Sequence, residues 1–478
     1  MEKTKIHFPE KGISKEEILI NAIKKKEKDI DWGKGRSFCL IYYPGEEKSK
    51  LIKEVFDVYY YDNALNPTAA PGIAAIESEA TKMCIELFHG DENVRGNISS
   101  GGTESILLAV KTSRDYAKKV HPEIKNPHVV VPSSVHPAFF KAFHCFGLDF
   151  TVVKVKNDLR ADALAMKNAI HQNTILIVAS APSYPHGVMD PIKEIGQIAQ
   201  EKKLLFHVDA CIGGFMLPFL KNAGYDIPDF DFSVEGVTSL SADLHKYGYS
   251  PKGASVILYK NGDLRKSQFS VYTGWNGGVY GSPTLLGTRA GSSIAGAWAA
   301  LNSIGMEGYT RMAKATMETT NKIKKTIVEI EGIELMGKPE MTILAFTSKE
   351  LDVFVIADEL NKKGWHFERQ QLPPSIHLTI NFIHCNVAEE FIEDLKSSVE
   401  NAKKFSLEKI TNKLQTGLVK GLSKLLPEGT IAKYQSTRDE KLEASTRNKA
   451  AMYGMMGALQ GTSDLNEMVL DFLDKTYS

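Results

Sequence analysis

The feature that most limits what this chain can become is a regular alternation, through its middle, of short apolar runs with helical patterns. Val129–Val131, Ile175–Ala179, Leu204–Asp209 and Ala254–Tyr259 are rich in branched residues, and each is bounded by Pro, Ser, Gly or Asp. Such runs suit strands buried between two helical layers, as in a mainly parallel sheet. Between two of them, Pro191 to Lys203 carries apolar residues at Ile192, Ile195, Ile198 and Ala199, a helical spacing. The alternation predicts a large α/β domain over residues 61–305, with helices on both faces and residues 1–60 as an N-terminal segment.

A chain of 478 residues exceeds what one compact core needs, so further units are expected. After Gly305 a long helical pattern leads into Gly332–Leu335, Thr342–Phe346 and His377–Asn381. Strands mixed with helices in this way predict a smaller α+β C-terminal domain over 306–478. Residues 405–445 are rich in Lys, Glu, Thr and Ser, and Leu414, Leu418, Leu422 and Leu425 there fall at helical spacing. They read as an amphipathic helix covering its own domain in preference to one lying on a membrane.

Charge and cysteine content narrow the function classes. Lys plus Arg equals Asp plus Glu at 58 each, without the basic excess that a nucleic-acid binder normally shows. The five cysteines are scattered and never form a CxxC pair, which fits reduced thiols and predicts neither a disulfide framework nor a metal site. The first 36 residues have no apolar signal core, and no apolar run approaches the ~20 residues of a spanning helix. A cytoplasmic protein is expected.

Four clusters can carry chemistry. Ser99 to Ser105, including Gly101, Gly102 and Thr103, precedes a helical pattern with Ile106, Leu107 and Val110 on one face. Small residues at a helix start let backbone N–H groups approach an anion, although Gly-rich loops capping helices are common. Ser133 to Pro137 follows a strand and offers His136, able to lie flat on a planar ring or simply to be an ordinary histidine. Phe206 to Ala210 is a strand ending in Asp209, placed to hold a pyridinium nitrogen protonated or to cap a following helix. Ser241 to Gly248 contains His245 and Lys246 among aromatic and small neighbours, unusual company for a solvated lysine. A partly desolvated lysine with a lowered pKa can form a Schiff base with an aldehyde cofactor. Phosphate cradle, stacking face, pyridinium partner and covalent anchor together are what a pyridoxal 5′-phosphate (PLP) site requires.

His207 to Phe215, Ser241 to Gly253, Pro185 to Pro191, Gly277 to Thr284, Leu372 to His377 and Met452 to Met455 resemble the sphingosine-1-phosphate lyase family, from about residue 35 to the C-terminus. On that alignment 405–445 is an insertion. The Gly-rich loop and the Asp and Lys motifs are shared with group II amino-acid decarboxylases, whereas the Pro185, Gly277 and Leu372 segments favour the lyase. The resemblance implies a fold-type I, PLP-dependent transferase-like architecture and a homodimer with a shared active site. It also implies cleavage of a phosphorylated sphingoid base to phosphoethanolamine and a long-chain aldehyde. By analogy Lys246 carries the cofactor, His136 stacks on its ring, Asp209 meets the ring nitrogen, and Gly101, Gly102, Thr103 and His245 surround its phosphate. Lys252 and Thr288 match family positions at the substrate phosphate, and Tyr184 and Tyr43 match tyrosines near the reacting centre. Tyr43 reaches in from the partner subunit, and a one-residue gap would put Tyr42 in its place.

One departure stands out. The family commonly reads Asn-Pro-Leu-His-Pro where this chain reads Asn63-Ala64-Leu65-Asn66-Pro67. Asn66 can donate an amide hydrogen to a phosphate but cannot become cationic. The alternatives are a decarboxylase, which needs no second phosphate pocket, and a PLP-fold chain without turnover that serves in binding.

Overall fold

A computed structural model describes residues 6–27, 29–404, 453, 457, 459 and 461–477. The 405–445 insertion with its four leucines, and Met452, Gly454 and Met455, lie outside the described residues. Among those described, the largest sheet has seven strands: β1 (Arg95–Ser99), β2 (His128–Pro132), β3 (Asp149–Val153), β4 (Thr174–Ser180), β5 (Leu205–Asp209), β6 (Ser239–Ala242) and β7 (Ser255–Tyr259). They lie in the order β1-β7-β6-β5-β4-β2-β3. Only β7 runs against the rest, so the sheet is mainly parallel, as the buried apolar runs require. Both faces are covered: Val130, Ile177, Phe206 and Val208 belong to one apolar core, and Val129, Val131, Leu176 and Val178 to another or its neighbour across the sheet.

β8 (Ser270–Trp275) and β9 (Gly278–Ser282) form a separate two-stranded hairpin, exposed except at Ser282. A second sheet, β10 (Glu334–Leu335), β11 (Ile343–Thr347), β12 (Glu368–Gln371) and β13 (Pro374–Thr379), is antiparallel in the order β10-β11-β13-β12. Its own core contains Leu344, Phe346, Trp365, Phe367 and Phe391. Phe38, far off in sequence, is part of that core, and Ser37 bridges His366 in parallel. The N-terminal segment thereby extends the second sheet.

The 39-residue helix Gly291–Glu329 links the two sheets and breaks its helical geometry at Gly305 (φ 63°). A positive φ favours glycine, so the change of character seen there in the sequence is a kink. Gly187 (φ +68°) marks another close approach, since a Cβ on it would lie 2.4 Å from the Ile343 carbonyl. No helix among the described residues is long and apolar enough to cross a membrane.

Candidate active site

Each chemical cluster leaves the carboxyl end of a parallel strand, where open α/β sheets place their ligands. β1 ends at Ser99 and enters the helix Gly102–Val120 through Gly101, β2 leads to His136, β5 ends on Asp209, and β6 runs into Asp243–Lys246. Mutual electrostatic influence ties them together, because His136 feels Asp209, Lys246 and Asp243. The four expected parts of the site therefore meet in space.

Lys246 departs from its expected state. Burial works to lower its pKa, but the Asp243 carboxylate, 3.0 Å from Nζ, with help from Asp209, more than offsets this and holds the amine well above its ordinary range. Asp243 is itself 2% exposed; burial raises its pKa, yet Lys246, His245 and the Ser255 hydroxyl bring it below the usual carboxylate range. Both partners are thus charged in the free chain, whereas the sequence pointed to a lowered lysine pKa. An acid three residues before Lys246 was the missed determinant.

His245 accepts from the Ala254 N–H through Nδ1 at 3.2 Å, so the neutral ring carries its proton on Nε2. Burial, with the charges of Lys252 and Lys246, outweighs Asp243 and lowers its pKa. A Cβ on Gly101 would lie 3.2 Å from His245 Cε1, and one on Gly102 would lie 2.7 Å from the Asp243 carboxylate. Only glycines let this helix start lie so close to the imidazole and the acid. Glu104 in the same turn is occupied elsewhere, accepting from the backbone N–H groups of Ser100, Leu285 and Leu286. Thr103 is exposed at the helix start.

Asp209 is 7% exposed and accepts from the Cys211 N–H at 3.0 Å, capping a turn; no helix begins there for it to cap. His136 is half-buried, and burial lowers its pKa, favouring a neutral ring. Its ring sits edge-on to Tyr184, with centroids 6.4 Å apart. Tyr184 in turn stacks on His377 at 4.4 Å. Burial, then Glu368 and Cys39, raise the Tyr184 phenol above its ordinary range, so it is protonated at neutral pH.

The outer residues differ in kind. Lys252 donates to the Leu40 and His245 carbonyls at 2.7 and 3.1 Å, with its amine 5.2 Å from the Tyr42 ring centroid. The residue as a whole is exposed, yet its amine is close enough to protein that burial, then Lys246, pull its pKa down to about 8. Thr288 is exposed and accepts from Asn63 Nδ2 at 3.2 Å. Behind it, Arg289 forms a buried pair with Glu77, at 2.6 and 2.9 Å, and also binds the Ala64 carbonyl. Asn66 Oδ1 accepts from the Thr68 N–H and hydroxyl and the Ala69 N–H, so its oxygen holds the turn before the helix Pro71–Leu87. Tyr43 packs edge-on to Trp32 at 5.8 Å. Tyr42 is the tyrosine that, within its own chain, lies against Tyr247 and Lys252 and feels Tyr184 and Asp243.

The inner residues fit a phosphorylated pyridine. Glycines at a helix start beside the His245 donor suit its phosphate, a buried acid beyond β5 suits its ring nitrogen, and Lys246 supplies the amine.

The comparisons with known proteins agree. The family model described as the pyridoxal-dependent decarboxylase conserved domain matches residues 4–349. A solved sphingosine-1-phosphate lyase from Burkholderia pseudomallei superposes with a TM-score of 0.80 at 38% identity, covering 87% of this chain and 97% of that one. A Lactobacillus brevis glutamate decarboxylase superposes at 0.72 with 19% identity, over 83% of this chain and 95% of that one, which speaks for the fold alone. The sphingosine-1-phosphate lyase of Arabidopsis thaliana is 39% identical over 99% of this chain and 81% of its own length. That of Saccharomyces cerevisiae is 34% identical over 98% and 75%. Likeness of this extent means that the chain belongs to the sphingosine-1-phosphate lyase family, with pyridoxal 5′-phosphate as its cofactor.

Proposed function

We propose that this protein cleaves the C2–C3 bond of phosphorylated sphingoid bases such as sphingosine 1-phosphate, releasing a long-chain aldehyde and phosphoethanolamine. The observation that carries the reading is a second cationic group, Lys252, just outside the inner cradle and held there by the Leu40 and His245 carbonyls. A decarboxylase acting on an unphosphorylated amino acid has no use for it.

Lys246 would hold the cofactor covalently, with Asp209 at the ring nitrogen, His136 on the ring face, and Gly101, Gly102, Thr103 and His245 at the phosphate. When bound, the cofactor supplies an electron-poor ring that takes up the electron pair left on C2. Lys252, Thr288 and the Asn66 amide bind and orient the substrate phosphate, which fixes the bond presented for cleavage. Tyr184, protonated and packed on the His377 ring, can take the C3 hydroxyl proton only by passing its own on, so it acts as a relay, with the Lys246 amine or the substrate phosphate as the final acceptor. Tyr43 acts at the site of the other subunit in a homodimer. Supporting that assembly, the helix Lys15–Lys26 buries none of its residues against its own chain. The hairpin likewise exposes Val271, Tyr272, Trp275 and Val279. The scattered free thiols support a cytoplasmic location.

The direct test is aldehyde release from sphingosine 1-phosphate by the purified, PLP-loaded protein. Long-chain aldehyde with equimolar phosphoethanolamine supports the proposal. A protein that shows the cofactor's visible absorbance, releases no aldehyde, and liberates CO₂ from an amino acid is instead a decarboxylase.

A further inference from the structure

Three metal-ligating groups come together where the N-terminal segment meets the second sheet. Phe38, Trp365 and Phe367 point into the second core, at 0%, 1% and 4% exposure. Their neighbours Cys39, His366 and Glu368 lie beside that core, Cys39 buried and the other two half-buried. The parallel bridge Ser37–His366 fixes the register, with Phe38 N–H donating to the His366 carbonyl and His366 N–H to the Arg36 carbonyl, each at 2.8 Å. Two residues further along each segment are Cys39 and Glu368. The Cys39 Sγ, a His366 ring nitrogen and a Glu368 oxygen all lie within 4.8 Å of one another.

We infer that Cys39, His366 and Glu368 form a binding site for a zinc-like divalent cation. Thiolate, imidazole and carboxylate suit Zn²⁺ and disfavour Mg²⁺ or Ca²⁺, which take all-oxygen sets. Bond lengths of ~2.0 to 2.3 Å put ligand atoms ~3 to 4 Å apart, so small side-chain rotations close the set. Three protein ligands leave a fourth position open. Cys39 is 1% exposed, while His366 and Glu368 are half-buried, so the ion enters past the latter two. Binding releases the thiol proton, since the thiolate is the ligand.

The site also has a mechanical consequence. Cys39 lies on the N-terminal segment, next to Leu40, whose carbonyl holds the Lys252 amine. A cation bridging Cys39 to His366 and to β12 fastens that segment to the second sheet. The assignment depends on no particular substrate.

The test titrates chelator-stripped, PLP-loaded protein with Zn²⁺ against a chromophoric chelator, and in parallel with Co²⁺ followed by absorbance. One Zn²⁺ per chain and a thiolate-to-cobalt charge-transfer band in the near ultraviolet are expected. Cys39→Ser should abolish that band, and Cys39→Ser and Glu368→Gln should each weaken Zn²⁺ binding by at least about tenfold, the loss that even an outer partner of a metal site causes. Retained cofactor absorbance and an unchanged circular-dichroism spectrum establish that the variants are folded. Glu368→Gln, at a half-buried edge position, serves if Cys39→Ser does not fold. Absence of a stoichiometric site, or equal affinity in wild type and folded variants, overturns the inference.

Discussion

Lys246 and Lys252 lie six positions apart on one loop, yet their surroundings treat them in opposite ways. Lys246 is paired with a buried carboxylate at 3.0 Å and stays charged despite burial. Lys252 donates to two neutral carbonyls, and burial, then the charge of Lys246, pull its pKa down to about 8. In the inner region the charges of Lys246 and Asp243 are matched within the chain. Lys252, Thr288 and Asn66, the proposed outer seat, are exposed, and among the described residues Lys252 forms no salt bridge, as a group whose counter-ion is a substrate would.

Breaking the inner pair should have the larger effect. Lys246→Ala is expected to abolish both turnover and the cofactor's visible absorbance, measured by aldehyde release and by spectrophotometry. Wild-type turnover in that variant would sink the assignment. Below it in size comes the buried pair that backs the outer rim. Arg289 and Glu77 have side chains only 8% and 10% exposed. Glu77→Gln leaves the guanidinium without a charged partner, which in buried pairs costs about 3–5 kcal/mol. A urea midpoint that falls at unchanged m-value would show it, and an unshifted midpoint would mean the rim does not rest on this pair.

The outer lysine should give a graded effect. Lys252→Ala removes a charge-assisted hydrogen bond of about 1.5–3 kcal/mol, or roughly a 10- to 100-fold rise in KM. An unchanged KM would remove Lys252 from the phosphate seat. The pH dependence has a definite sign. Lys252 is cationic below about pH 8 and loses its proton as pH rises through that value, so KM should climb on the alkaline side. A bound phosphate favours the charged form and shifts the climb upward in the complex. Lys252→Ala should flatten this limb.

How legible this was in the sequence depended on the kind of signal. β5 is an apolar run broken only by the buried His207 and ending in an acid, so both the strand and Asp209 could be read directly. β1 reads Arg-Gly-Asn-Ile-Ser and resembles a loop; it is a strand because β7 pairs with it and because Asn97 accepts from Arg265 and Gln268. β3 is an edge strand with Phe150 and Val152 exposed, so it lacks the buried pattern of its neighbours. Asp243 escaped notice because an acid three residues from a lysine looks like any solvated pair, and only burial gives it force. Tyr42 and Tyr43 are adjacent and face different surroundings, which tertiary packing decides and composition does not. The absence of CxxC pairs argued against a metal site, but Cys39 lies near His366 and Glu368 because segments more than 300 residues apart meet beside the Ser37–His366 bridge, where no spacing rule applies.

The smallest effect sharpens the comparison most, because it separates a residue's structural work from its chemical work. Asn66 uses its side-chain oxygen to accept three hydrogen bonds in the turn before the helix Pro71–Leu87. Its amide nitrogen is the part available to a phosphate. Asn66→Asp keeps an oxygen for the turn but replaces the donor with an acceptor and adds negative charge. Thermal stability should therefore stay close to wild type, while KM rises by roughly two- to tenfold, corresponding to about 0.5–1.5 kcal/mol for one neutral hydrogen bond, with repulsion pushing toward the upper end. Asn66→His restores the cation common in the family but loses the oxygen, so it should lower both stability and KM. If Asn66→Asp leaves KM unchanged, the side chain is a turn cap alone and the outer seat is made by Lys252 and Thr288. If instead both KM and stability shift together, the turn itself positions the seat, and the outer region is less independent of the fold than its exposure indicates.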